Sequence, residues 1–137
     1  MHLFTARIAP GVDPAAEVKA DYLAAILKGS ASSPLISRSR AIEILGTMIG
    51  GYNVQPLIDA LGDVELADDA VKALSGLTLV YDTFDTLVEL SSSSPAAMAV
   101  LRSWAEAEWF TSRPTLPAEI TVKVFKVDGE INTDDFS

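Results

Sequence analysis

The chain has 137 residues, of which 49% are hydrophobic and 21% charged, a composition that suits one globular domain and excludes a disordered or collagen-like chain. Its 19 acidic side chains outnumber the 10 basic ones, and because the net charge of −9 repels phosphates we expect no direct binding to nucleic acid. Since cysteine is absent, the chain can hold no disulfide, no cysteine-ligated zinc or iron–sulfur cluster and no thiol nucleophile.

The first predicted helix begins after Asp13 and Pro14. An acidic N-cap followed by proline is a favourable helix start, because the missing N–H of proline has no intrahelical partner at the first position. The helix should end at Gly29. Its inward face is predicted to carry four apolar side chains: Val18, Tyr22, Ile26 and Leu27.

A glycine- and serine-rich loop separates this helix from a second one, which Ser37 is predicted to cap. The second helix should extend to Gly50–Gly51, where two consecutive glycines stop it. Its inward positions follow helical spacing: Ile42, Leu45 and Ile49.

Asn53 is predicted to cap a third helix, and a tight turn at Gly62–Asp63 to join it to a fourth. The third helix matches the i, i+3, i+4, i+7 pattern of an amphipathic helix with Val54, Leu57, Ile58 and Leu61. The fourth repeats the pattern with smaller side chains: Ala67, Ala70, Val71 and Leu74.

A break near Ser75–Gly76 precedes a fifth predicted helix, whose apolar positions are Leu77, Val80, Tyr81, Phe84, Leu87 and Val88. Four serines, Ser91–Ser94, form a polar hinge, and Ser94 with Pro95 repeats the cap-plus-proline start. The sixth helix should then turn Ala97, Leu101, Trp104 and Ala105 inward.

The pattern changes after Pro117. Residues Ile120–Val127 are largely β-branched and alternate roughly, which predicts a strand, and Asp128–Gly129 predicts a turn. A lone strand needs a partner for its backbone groups, so we expect it to be mobile or to pair with a second copy. A homodimer could form through this strand or through the helical domain. We therefore divide the chain into a helical domain, 1–117, and the start of a truncated second domain, 118–137.

The middle of the chain has the character of a helical repeat. Large apolar side chains on the third helix and small ones on the fourth allow close approach of the pair, and each pair leaves an apolar face for its neighbours. This favours an all-α fold of HEAT-like antiparallel helix pairs, an α-solenoid with a short C-terminal strand. An irregular helical bundle remains the alternative.

Five longer strings carry a more specific signal, namely Pro10–Asp13, Ala31–Ser37, Leu45–Asn53, Ser103–Pro114 and Gly129–Asp135. Together they resemble the N-terminal region of the bacterial aconitase B family, and the resemblance extends over nearly the whole chain. Two departures are visible. The family's first helix is missing or shortened before Leu3, and Arg38 replaces a proline that commonly follows the capping serine.

The resemblance implies a HEAT-like domain that precedes a swivel domain and three domains holding a [4Fe-4S] cluster. Such an enzyme, a hydro-lyase of the tricarboxylic acid cycle, interconverts citrate and isocitrate through cis-aconitate, and some members handle 2-methylisocitrate. The family's cluster cysteines and substrate-binding residues lie beyond Ser137. The resemblance thus implies no catalytic, cofactor or metal residue in this chain, and the remaining aconitase domains as its partners.

Catalytic groups are scarce in the sequence itself. The abundant serines have only His2 as an imidazole base, at the extreme N-terminus, so we interpret them as loop and cap residues. Asp82, Asp85 and Glu89 share a helix face and could form a metal or acid–base site, although a solvated face explains them more simply. Asp134–Asp135 is interpreted as part of an acidic turn.

An aromatic group near the end of the helices is the candidate contact surface, because Trp and Arg are favoured at interface hot spots. Trp104 is predicted to be core. Trp109, Phe110 and Arg113 lie where helix gives way to linker, and either dock onto the swivel domain or are buried within this one.

Charge is uneven along the chain. The segment from Asp59 to Glu108 contains ten carboxylates but only two basic residues, Lys72 and Arg102. The one basic grouping in the chain is Lys28 with Arg38 and Arg40. Acidic faces of this kind repel nucleic acid and anionic lipid. No stretch reaches the ~18 apolar residues of a membrane helix, and no secretory signal is visible, so we expect a cytoplasmic protein without a membrane partner.

Three functions follow as hypotheses. The first is a non-catalytic HEAT-like domain of an aconitase-B-type enzyme, which packs on the catalytic body, shapes access to its active site and binds proteins. The second is a free-standing HEAT-like adaptor of the same ancestry. The third, a small hydrolase or metal site built on Asp82 and Asp85, has the least support.

Overall fold

The computed structural model describes residues 13–77, 80, 83–111 and 118–122. Within these ranges the chain is all-helical and contains no strand, so the predicted all-α class is confirmed there. The described residues form seven helices in chain order: α1 (Ala16–Leu27), α2 (Arg38–Leu45), α3 (Val54–Ala60), α4 (Ala67–Ser75), α5 (Phe84–Ser91), α6 (Pro95–Ala105) and α7 (Glu108–Thr111). Among them, no helix is both long enough and apolar enough to cross a membrane.

The helices pack as three consecutive pairs. α1 packs on α2, α3 on α4 and α5 on α6, and the second helices of the pairs stack in the order α2, α4, α6. The first helices α1 and α3 also contact each other, whereas contact between α3 and α5 is sparse at most. One apolar core extends through all three pairs, and its largest fully buried side chains are Leu23, Ile42, Ile44, Leu45, Leu57, Leu74, Leu87 and Val100.

Two predicted serine caps are confirmed. The Ser37 hydroxyl accepts a hydrogen bond of 3.1 Å from the backbone N–H of Arg40, and α2 begins directly after it. The Ser94 hydroxyl accepts one of 3.2 Å from the N–H of Ala97, with Pro95 at the first helical position. Each hydroxyl satisfies one N–H that the first turn of a helix leaves without a backbone partner.

The start and the inward face of α1 differ from the prediction. The helix begins at Ala16 rather than directly after Asp13, and Val18 and Tyr22 are 69% and 39% exposed. The buried stripe is instead Ala16, Lys19, Ala20, Leu23, Ile26 and Leu27. Because apolar residues occur on every side of this helix, their spacing alone does not select the buried face. The predicted stop is close to the observed one, since Gly29 has a left-handed φ of 72° two residues after the helix ends.

The boundary between α2 and α3 is also corrected. α2 ends at Leu45, well before Gly50–Gly51, and Ile49 lies outside it at 45% exposure. Asn53 makes no side-chain cap on α3. Its buried amide points back to α2, where Nδ2 donates hydrogen bonds to the carbonyls of Leu45 at 2.8 Å and Met48 at 3.2 Å. Asn53 therefore closes the C-terminus of α2, whose last carbonyls lack helical partners.

The apolar faces of α3 and α4 agree with the prediction in the main. All four expected positions of α3 are buried, and on α4 Ala70 and Leu74 are buried with Ala67 and Val71 half-buried. α4 begins later than Asp63, after a turn over residues 64–66. Asp63 supports that turn, because its carboxylate accepts a 2.9 Å hydrogen bond from the N–H of Glu65.

The third pair departs further from the pattern. α5 begins at Phe84 rather than near Leu77, and Phe84 and Val88 are each 44% exposed while Leu87 is buried. Tyr81 lies outside the described residues. α6 buries Ala97, Val100 and Ser103, leaves Leu101 and Trp104 half-buried and exposes Ala105. The small residues form the buried stripe here because α4 and α5 both pack against α6.

Of the predicted strand at 120–127, the structure describes only residues 120–122. They have no regular secondary structure, and Ile120 and Val122 are 62% and 69% exposed. The remainder of the strand and the turn after it lie outside the described residues. The strand and the division into 1–117 and 118–137 therefore stay predictions.

Candidate interaction surfaces

Arg38, in the first turn of α2, links the first helix pair to the second. Its Nε donates a 2.9 Å hydrogen bond to the carbonyl of Leu27 at the end of α1. On the other side, Nη2 donates to the carboxylate of Asp63, and Nη1 lies 3.4 Å from Oε2 of Glu65. One planar guanidinium thus connects three segments, for which its fixed set of donors is well suited.

The contacts of Asp63 in this link lower the pKa of its carboxyl group. Its hydrogen bond from Arg38, and next the one from the backbone N–H of Glu65, hold the pKa of Asp63 below its ordinary value. Hydrogen bonds to the ionised form favour that form. Asp63 is therefore an ionised partner of Arg38 in the fold.

A shallow groove of about 280 Å³ lies beside this link, lined by Ala24, Leu27, Lys28, Arg38, Pro56, Asp59, Ala60, Asp63 and Leu66. Both cations on its rim face carboxylates, since Lys28 Nζ lies 3.6 Å from Asp59 and Arg38 binds Asp63. Arg40, the third member of the basic grouping, pairs with Glu43 on its own helix. The basic grouping is consequently neutralised by carboxylates and does not form an anion site.

The predicted metal or acid–base group is not assembled in the described part of the chain. Asp85 and Glu89 are exposed on α5, and Asp82 lies outside the described residues, as do His2 and Asp134–Asp135. Within the described ranges, no group of three or more His, Cys, Asp or Glu side chains could hold a metal ion. Asp85 and Glu89 lie on a solvated face of α5.

The serines near α5 have backbone partners. Ser91, Ser92 and Ser93 each donate a hydrogen bond from the hydroxyl to a carbonyl three residues earlier, on Val88, Glu89 and Leu90. Such local bonds are typical of serines at the end of a helix. In the structure this run is the polar turn between α5 and α6.

The aromatic side chains divide into a structural and an exposed group. Trp104 Nε1 donates a 3.0 Å hydrogen bond to the carbonyl of Leu74, and its ring stacks on Phe84 with centroids 6.4 Å apart. Trp109 and Phe110 on α7 are 44% and 61% exposed and pack edge to face at 5.8 Å. We call these two residues the α7 aromatic pair. Arg113, predicted to join them, lies outside the described residues.

Two polar contacts were not predicted from the sequence. Lys19 is 6% exposed and binds the carboxylate of Asp13 at 2.6 Å, and Asn53 closes α2. Neither residue belongs to a recognisable motif, and the partners of Asn53 are main-chain carbonyls. The signal for Lys19 is weak but present, because a lysine interrupts an otherwise apolar stripe.

Comparison with known proteins gives consistent matches. A family model described as the aconitate B N-terminal domain matches residues 1–110. Aconitate hydratase B of Escherichia coli is 55% identical over 138 residues, which is 100% of this chain, and that of Pseudomonas aeruginosa is 50% identical over the same share. Aconitate hydratase B of Helicobacter pylori is 47% identical over 96% of the chain. The chain spans about 16% of the length of these relatives.

Proposed function

The chain belongs to the family of aconitate hydratase B N-terminal domains, and from this premise we propose that it is a non-catalytic, HEAT-like domain of such an enzyme. The match over the full chain at 55% identity, against only 16% of the relative's length, is the observation that carries the proposal. For the longer protein we infer the aconitase reaction, citrate to isocitrate through cis-aconitate, and not a reaction of this segment.

The [4Fe-4S] cluster of such an enzyme does not fit the residues of this chain. Cysteine is absent from the whole sequence, and the described ranges contain no cluster of other metal-ligating side chains. Thiolates are the ordinary ligands of iron–sulfur clusters. In this proposal the cluster and the substrate residues therefore belong to other domains of the longer protein.

The packing of the helices supports the HEAT-like part of the proposal. Consecutive helix pairs whose second helices stack in order are the arrangement expected of a helical solenoid. Gly46 and Ala73 supply the close approach that such stacking needs, because a Cβ placed on Gly46 would lie 3.0 Å from the Cβ of Ala73. An irregular bundle would not require this order of contacts.

The α7 aromatic pair is the surface we assign to domain docking. Tryptophan and other large aromatic side chains contribute much of the binding energy at interfaces, and both rings are substantially exposed. The family match ends at residue 110, whereas similarity to the Escherichia coli relative continues over the whole chain. This supports a domain boundary soon after α7, with residues 118–137 as the start of the swivel domain.

Docking brings the helical domain against the catalytic body of the longer protein. There it would pack, shape access to the active site and offer a surface for association with other proteins.

Binding in trans tests the proposal. The chain is titrated by calorimetry into Escherichia coli aconitate hydratase B from which the matching segment has been removed, and that enzyme's own segment serves as the positive control. The double variant Trp109→Ser, Phe110→Ser tests the surface, and Val64→Ser is the matched control, because Val64 is 97% exposed in the α3–α4 turn.

We expect the chain and the Val64→Ser variant to bind alike and the double variant to bind about tenfold more weakly or worse, as loss of a hot spot predicts. Equal binding of the double variant would contradict the assigned surface. A chain that leaves the truncated enzyme unbound while the positive control binds would favour the free-standing adaptor.

A further inference from the structure

The polar links between helix pairs are distributed unevenly. All ion pairs formed between described residues lie within residues 13–65. Arg38 joins Leu27 to Asp63 and Glu65, Lys28 pairs with Asp59, and Ser39 on α2 hydrogen-bonds to Asp69 on α4. These contacts fix the first pair against the second from several directions.

The third pair is attached differently. It meets the second pair through α6 on α4, and the buried residues of α6 are Ala97, Val100 and Ser103, with α4 and α5 both packed against this helix. A side-chain hydrogen bond from Trp104 to the carbonyl of Leu74 spans the same contact.

On the opposite side, the second and third pairs are separated by an open groove of about 310 Å³. One wall includes Gln55, Ile58 and Leu61 from α3 and its C-terminus, and the other Thr86, Leu90 and Ser94. Since α3 and α5 have at most sparse contact, the layer of first helices is continuous from α1 to α3 and interrupted before α5.

We propose that the third pair pivots as a rigid body about the α4–α6 contact, so that the groove between α3 and α5 opens and closes while the first two pairs move as one unit. Each observation has a part in this motion. The Arg38 network holds the first two pairs together, the α4–α6 contact is the pivot, and the groove is the space through which α5 moves. The inference concerns these helices alone and does not depend on the proposed enzyme.

Spin-label distances measured by pulsed electron paramagnetic resonance on the 137-residue chain test the pivot. Because the chain has no cysteine, each variant carries only the two labels introduced. Gln55→Cys with Glu89→Cys spans the groove from α3 to α5. Gln55→Cys with Asp21→Cys spans the first two pairs from α3 to α1, and Glu89→Cys with Met98→Cys lies within the third pair; all four side chains are exposed.

The proposal predicts a distance distribution across the groove at least about twice as wide as either control distribution. Each control pair shares the label at Gln55 or at Glu89 with the groove pair, so motion of that label broadens both distributions alike. A distribution across the groove as narrow as the controls would overturn the pivot. A distribution within the third pair as wide as that across the groove would overturn it too, since α5 would then move alone.

Discussion

The guanidinium of Arg38 binds the carboxylate of Asp63 across the boundary between the first and second helix pairs. The same side chain donates to the carbonyl of Leu27, so one residue closes the end of α1 and the start of the α3–α4 turn. A long side chain on a short helix thereby couples two units that are also joined by apolar packing, the Lys28–Asp59 ion pair and the Ser39–Asp69 hydrogen bond.

Substitution of Arg38 should therefore destabilise the fold more than substitution of a neighbouring arginine. For Arg38→Ala we expect a loss of about 1 kcal/mol from the Leu27 hydrogen bond, increased by the loss of both ion pairs. Arg40→Ala is the control, because Arg40 pairs with Glu43 only three residues along its own helix. Urea unfolding measures both, and equal midpoints would contradict the linking role.

The lowered pKa of Asp63 predicts an acid-sensitive stability. In the unfolded chain an aspartate has a pKa of ~3.9, so the stabilisation is complete above about pH 5 and is lost as the pH falls towards the lower folded-state pKa. The free energy of unfolding should decrease between about pH 5 and 3, and less steeply in Asp63→Asn. Asp21→Asn, which retains the Arg38–Asp63 pair, should keep the wild-type slope. An unchanged slope in Asp63→Asn would refute the assignment.

Asn53 provides a test of the closure of α2. Removing its buried donor leaves carbonyls of Leu45 and Met48 without this partner, at an expected cost of about 1–3 kcal/mol in Asn53→Ala. Asn53→Asp keeps the size but cannot donate, and should lose at least as much stability. Gln55→Ala, on the exposed side of α3, should stay within about 0.5 kcal/mol of wild type. A stable Asn53→Asp variant in chemical unfolding would show that donation is not needed.

The close approach of α2 and α4 at Gly46 gives a steric prediction. A Cβ there would lie 3.0 Å from the Cβ of Ala73, so Gly46→Ala should destabilise by about 1–3 kcal/mol through overpacking. At Gly62 the nearest atom is 3.5 Å away, in ordinary contact, and Gly62→Ala should be neutral or stabilising because it restricts the unfolded chain. Equal effects of the two substitutions in thermal unfolding would contradict the stacking of these helices.

The elements that were predicted correctly depend on features within a few residues in sequence, namely helix caps and apolar periodicity. Ser37 and Ser94 cap helices through contacts three residues away, and the apolar periodicity of α3 and α4 selects the buried face because their other sides are polar. The inward face of α1 could not be selected this way, since the helix is apolar on several sides and the buried lysine is compensated by Asp13.

The remaining differences arise from long-range contacts. Asn53 was predicted as an N-cap because asparagine favours that position, yet its partners belong to the preceding helix. The sequence marks Arg38 as a departure from a family pattern and as one of three grouped basic residues, but not as a link, because Asp63 is 25 residues away in sequence. The exposure of Trp109 and Phe110 likewise depends on where α7 lies, which no local pattern determines.

We propose that catalysis belongs to other domains of the longer protein. The most direct measurement follows the formation of cis-aconitate from citrate or isocitrate by its ultraviolet absorbance, with the purified 137-residue chain, after treatment with iron and sulfide under reducing conditions. Escherichia coli aconitate hydratase B treated in the same way is the positive control. We predict no turnover above the protein-free blank, whereas cis-aconitate formation that increases with the concentration of the chain would contradict the claim.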